Sequence, residues 1–158
     1  MPYAAGQRHG AGAPILRGEM SLVLALALAM TAVSGRAGEV DVEVRNLQAS
    51  TGHLRVAICP ETEFLQPHCI FHQAVPAAKG SLEVRFMNIP PGVYAAQAYL
   101  DEHDWGEIRR DMLGFPEEGI GFSNDAPMRF GPPRFADARF TVGDAPVQVH
   151  ITLHYYGL

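Results

Sequence analysis

Eight carboxylates fall within one stretch of the chain: Asp101, Glu102, Asp104, Glu107, Asp111, Glu117, Glu118 and Asp125. Oxygens gathered this densely suit two kinds of chemistry. They can ligate a hard cation such as calcium, or act in pairs as general acid and base in hydrolysis. Asp101, His103, Asp104 and Asp111 form the candidate metal set. Glu117 and Glu118 are adjacent and could bind a cation or lie solvated. Beyond them, Gly121-Phe122-Ser123-Asn124 carries a hydroxyl. It is not the G-x-S-x-G nucleophile pattern, and no strand-turn-helix frame surrounds it. The chain contains no H-E-x-x-H, P-loop or G-x-G-x-x-G motif. Acidic loops are common without catalysis, so a non-catalytic domain is expected. A hydrolase acting on an envelope polymer is the enzymatic alternative.

Strands must position these residues. Val40, Val42 and Val44 alternate with charged neighbours, as do Leu54, Val56 and Ile58, then Leu82, Val84 and Phe86. That period of two marks half-buried strands. Residues 70–76, Val93–Asp101 and Phe140–Val142 read as further strands, and Val147–Tyr156 alternates to the end. About seven short strands with a turn signal every 8–12 residues predict an all-β fold. The expected form is a single antiparallel β-sandwich of immunoglobulin-like or transthyretin-like type. Gly92-Val93-Tyr94 after a tight turn suits a tyrosine corner.

Residues 102–136 break this rhythm. Uninterrupted loops beyond about 12–15 residues are uncommon in compact domains and are often functional. Trp105, Ile108, Met112, Leu113, Phe115, Ile120, Phe122, Met128, Phe130 and Phe135 supply apolar content for a core of its own, which a disordered segment would lack. An ordered loop excursion packed on the sandwich is expected. Its candidate binding surface comprises Trp105, Glu117, Glu118, Phe122, Ser123 and Asn124, with Trp105 as an aromatic anchor; the alternative for Ser123 and Asn124 is to stabilise a tight turn by bonding to nearby backbone.

The N-terminus has a different character. Ser21–Val33 is a short apolar run preceded by Arg8 and Arg17, and Gly35 and Ala37 follow it. It is too short to span a bilayer, which takes roughly 20 residues. The pattern is that of a secretory signal peptide over residues 1–37, cleaved after Ala37, with no transmembrane span left behind. Cleavage removes three of the 12 basic residues and one of the 17 acidic ones. Nine against sixteen remain, a charge of −7 on residues 38–158. So acidic a domain is a poor partner for nucleic acid, which recruits basic patches. Two cysteines in an exported domain, Cys59 and Cys69, point to a disulfide. Buried free thiols, or a soft metal site with His68 and His72, are the alternatives.

Asn88-Ile89-Pro90-Pro91-Gly92-Val93-Tyr94, Asp101-Glu102, Gly106, Leu113-Gly114-Phe115-Pro116-Glu117-Glu118, Gly121-Phe122-Ser123-Asn124 and the Gly131–Ala138 run occur in order. In this the chain resembles the domain of unknown function 2141 family, small exported bacterial proteins of unestablished activity. The resemblance implies fold and compartment. It also implies a calcium-type loop after Asp101, with oxygen ligands at alternate positions and glycine at the sixth. Asp101 and Gly106 keep the first and sixth positions. His103, Trp105, Arg109 and Met112 stand at the third, fifth, ninth and twelfth, where they fit calcium poorly. The alternative is a turn in which Asp101 caps backbone amides and Gly106 takes a positive φ, and this is the expected one.

Together these features predict a periplasmic or secreted, non-catalytic binding or accessory domain without cofactor. Its partner would be an envelope protein, peptide or glycan. A metal-dependent binding protein using the Asp101–Asp111 loop is the first alternative, and the hydrolase the second.

Overall fold

The computed structural model describes residues 37–156. The leader expected over residues 1–37 lies outside them, Ala37 excepted. Eight strands form: β1 (Gly38–Leu47), β2 (His53–Cys59), β3 (Phe71–Pro76), β4 (Gly80–Ile89), β5 (Gly92–Asp101), β6 (Ile120–Phe122), β7 (Arg139–Val142) and β8 (Val147–Thr152). They make two packed sheets. One has the order β4-β1-β8; the other runs β3-β2-β5-β6, with β7 also paired to β5. The all-β sandwich expected from the alternating pattern is the fold observed.

The alternation decides which face each strand buries. Val40, Val42, Val44, Leu54, Ile58, Leu100 and Ile151 are fully buried between the sheets. Each such aliphatic side chain contributes about 1.5–3 kcal/mol on leaving water. Charged residues alternate with them on the outer face, where Asp41 accepts from Arg85 Nε at 2.7 Å. Tyr94 forms the expected corner, its hydroxyl donating to the Pro90 carbonyl at 3.0 Å.

One pairing departs from the antiparallel expectation. β1 and β8 run parallel, from Val40 beside Val147 to Arg45 beside Thr152. Every other strand pair is antiparallel. A parallel pair needs a long crossover, and here the whole intervening chain supplies it.

The excursion expected over 102–136 is also not one continuous loop. Ile120–Phe122 joins the sheet as β6, followed by a 3₁₀ turn at Ser123–Asp125. A short helix, α1 (Phe135–Ala138), closes the segment. Three residues are too few to display a period of two, so β6 left no alternation in the sequence. Its central glycine has a steric cause: a Cβ on Gly121 would lie 2.5 Å from the Thr152 carbonyl oxygen.

A second core covers the outer face of the five-stranded sheet. Cys59, Phe64, Cys69, Ala95, Ile120, Phe122, Ala126 and Ala138 are buried there. Phe64 makes edge-to-face contacts with Phe122 and Phe135, ring centroids 5.9 and 5.8 Å apart. Cys59 and Cys69 are disulfide-bonded and pin the loop after β2 into this core. The loop-entropy relation assigns a closure of this length about 2.8 kcal/mol. Replacing both cysteines by alanine is therefore expected to lower the thermal midpoint by about 10 °C. A midpoint indifferent to the substitution and to reductant would contradict that role.

Candidate functional site

The excursion starts from a fixed point. Asp101 ends β5 and is 1% exposed. Its Oδ2 accepts from Arg55 Nε at 2.7 Å and from the Gly106 amide at 2.8 Å. Its Oδ1 accepts from the Trp105 amide at 3.0 Å. Gly106 has φ +79°, and Asp101 caps the backbone amides of a tight turn. Burial alone would raise the Asp101 pKa; hydrogen bonds from Gly106, Arg55 and Trp105 outweigh it and hold the carboxyl below its ordinary value.

The other candidate metal ligands are also engaged elsewhere. Asp104 pairs with His53 Nδ1. The His103 ring stacks on Trp105, centroids 4.5 Å apart. Asp111 Oδ1 accepts from the Leu113 and Phe115 amides at 2.9 Å, building a tight turn. The structure does not bring Asp101, His103, Asp104 and Asp111 together. Among the described residues no three His, Cys, Asp or Glu side chains gather in a metal-holding arrangement.

The candidate binding surface divides in two. Trp105, Glu117 and Asn124 are exposed. Trp105 is flanked by His103 and by the Arg109 guanidinium, 4.1 Å from its ring centroid, and Glu117 pairs with Arg109 at 3.5 Å. Glu118, Phe122 and Ser123 are buried, and of these Phe122 also lines a cleft, beside Ile120 and Met128. Phe122 fills the second core. Glu118 accepts from the Arg109 amide at 3.0 Å, and burial pushes its pKa up. Ser123 is fully buried and bonds only to backbone. Of the two readings of Ser123, the one that bonds to backbone is observed; a short polar side chain reads identically in sequence whether it faces solvent or closes a backbone gap.

What the excursion does form is a groove. Its floor is the outer face of the five-stranded sheet, at Arg55, Ala57, Gln97 and Tyr99. One wall is the disulfide-closed loop at Leu65–Cys69; the other is Gly106–Pro116. The groove comprises two clefts of about 270 and 370 Å³, together of a size usual for small-molecule sites, ~300–1,000 Å³. Both are lined by Pro67, Gln97, Tyr99 and Gly106, which makes them neighbours. Sequence reasoning did not find Arg55, Gln97 or Tyr99. The available signal was β5 itself, where Tyr94-Ala95-Ala96-Gln97-Ala98-Tyr99 is too apolar for a strand with one wet face.

A family model, DUF2141, described as an uncharacterized protein conserved in bacteria, matches residues 42–150. No curated protein and no solved structure matches the chain.

Proposed function

The chain belongs to the DUF2141 family, and from that premise we propose that it is an exported, non-catalytic binding domain of the bacterial cell envelope, holding its ligand in the groove under the excursion. The observation that carries this reading is the groove's construction. Two separate segments, one tied by a disulfide and one anchored on Asp101, are folded over a sheet face and leave two adjoining clefts between them. Rigid walls built from loops on a β scaffold are the usual way such folds bind ligands. The disulfide supports export, since such bonds persist in oxidising compartments. Among the described residues no helix is long and apolar enough to cross a membrane. The non-catalytic part rests on Asp101, Asp111, Glu118 and Ser123, each committed to backbone groups or to Arg55.

The test is native mass spectrometry of the purified domain after incubation with a solvent extract of bacterial envelopes. A retained small molecule is expected for the wild type and not for Gln97→Trp, which fills the groove where the two clefts adjoin. Retention equal in both proteins, or in neither, would sink the groove as the site. A melt with millimolar calcium, zinc or copper decides the metal-dependent alternative: a rise in midpoint reversed by EDTA would favour it over a metal-independent groove.

A further inference from the structure

The groove is chemically two-ended. One cleft is walled mainly by apolar residues such as Leu65, Ile108, Ile120, Phe122 and Met128, with Glu107 and Arg110 also on its lining. The other carries Arg55, His68, His72, Gln97 and Tyr99, and no Asp or Glu lines it. That is notable in a domain of sixteen acidic residues against nine basic ones. Arg55 lines this end, and the buried Asp101 carboxylate is paired with it from behind. Asp101 takes the Arg55 Nε at 2.7 Å and so fixes the plane of the guanidinium. Its Nη2 lies towards Gly106, a residue of the groove wall, 3.9 Å from where a Cβ there would stand. A guanidinium oriented through Nε still presents donors suited to a small anion. His72 is similarly oriented, its Nδ1 at 2.9 Å from the Cys69 carbonyl, which leaves Nε2 as its second hydrogen-bonding atom.

Leu65 supplies an independent observation. Six non-glycine residues among those described have positive φ, and five are Asn or Asp: Asn46, Asn88, Asp104, Asn124 and Asp125. The sixth is Leu65, at φ +65°. Leucine is disfavoured in this conformation, which glycine and asparagine adopt readily. Leu65 is moreover 40% exposed, so core burial does not account for its side chain. A turn alone would be better served by asparagine; an apolar group at the rim of the apolar cleft would not. Backbone strain retained beside a ligand channel marks a side chain kept for contact.

We infer that the groove takes an amphiphile whose apolar chain ends in a carboxylate, the head at Arg55 and the chain running past Tyr99 to Leu65. This rests on the groove being the ligand site. The carboxylate meets the donor-rich cleft at the free edge of Arg55, and the chain displaces water from the largely apolar one. A chain with a cationic head would meet Arg55 unfavourably. An uncharged head would forgo its charge-assisted bond.

Competition for a dansylated undecanoate probe tests this. Dodecanoate is expected to displace the probe about ten times more effectively than dodecanol, one charge-assisted hydrogen bond's worth. Dodecyltrimethylammonium should be weaker still. Arg55→Gln should abolish the preference for acid over alcohol. Because that change also disturbs Asp101, Leu65→Asn provides a second arm: its thermal midpoint should hold or rise, as the turn relaxes, while probe affinity falls about tenfold. Equal displacement by acid and alcohol would overturn the anionic head. Probe affinity unchanged in Leu65→Asn would overturn the assignment of the chain. If no alkyl ligand binds but Gln97→Trp still loses an envelope molecule, the amphiphile is wrong and the groove stands. If neither occurs, both fail.

Discussion

Replacing Asp101 with alanine is expected to destabilise the domain by about 3–5 kcal/mol, the usual consequence of removing one partner of a buried, hydrogen-bonded ion pair. Domains of this size are stable by about 5–15 kcal/mol in total, so the variant should sit near its folding threshold. The reason lies in what the carboxylate holds: Arg55 Nε and the amides of Trp105 and Gly106 all donate to it. Alanine removes the one buried acceptor these three donors share, and frees the start of the excursion. The pH dependence separates this role from a merely steric one. A carboxyl held below its ordinary value stabilises the fold fully above its unfolded pKa, and that stability is lost as pH falls through the lowered folded value. Glu118 carries the opposite sign. Its pKa is raised by burial, so its contribution is greatest below its unfolded pKa and declines as pH rises through the raised folded value. Chemical denaturation from pH 3 to 7 should therefore show wild type losing stability towards acid more steeply than Asp101→Asn. Parallel profiles for the two proteins would refute the assignment.

The contrast between these acids shows what sequence could convey. Val40, Val42 and Val44 announce β1 because a strand with one wet face alternates, and alternation survives in a list of letters. Strand β5 lacks that contrast because both of its faces are covered, Ala96 and Ala98 by one core and Ala95 by the other. The second core and the groove are built on this blurred strand, so both were hidden. Asp101 and Gly106 were legible as a capped turn, since only local chemistry was needed. Arg55 and Gln97 were not, because they meet the excursion across the sheet, and pairing register is a tertiary property. The parallel partnership of β1 and β8 joins the two ends of the domain and was hidden for the same reason. The burial of Glu118 was hidden too, because a carboxylate in an acidic loop looks the same in sequence whether it is solvated or accepts a backbone amide.

Ser123→Ala is expected to cost about 2–4 kcal/mol, the combined effect of one buried donor and one buried acceptor left unpaired. The cause is a gap in the sheet. Along one edge of β5, β7 pairs with residues 92–95 and β6 with residues 97–99. Ala96 falls between them with no strand opposite. Ser123 Oγ fills the gap: it accepts from the Ala96 amide at 2.8 Å and donates to the carbonyl of Ala138. One hydroxyl thus joins β5 to the end of α1, where β7 begins. Asn124 continues the junction, in the left-handed conformation at φ +60°, its Nδ2 donating to the Arg139 carbonyl at 2.9 Å. Gly121, Ser123 and Asn124 are therefore the residues that splice a short strand into the sheet, one by admitting the Thr152 carbonyl and two by replacing missing ladder bonds. This assignment predicts where the damage appears. In Ser123→Ala, hydrogen exchange should accelerate at the Ala96 amide and through Arg139–Val142 well before it does at Val42 or Val44, which lie in the opposite sheet. A hydroxyl serving as nucleophile or ligand contact would behave otherwise: its loss would leave exchange rates and the thermal midpoint unchanged and remove only binding or turnover. That outcome would return Ser123 to the functional surface and require another acceptor for the Ala96 amide.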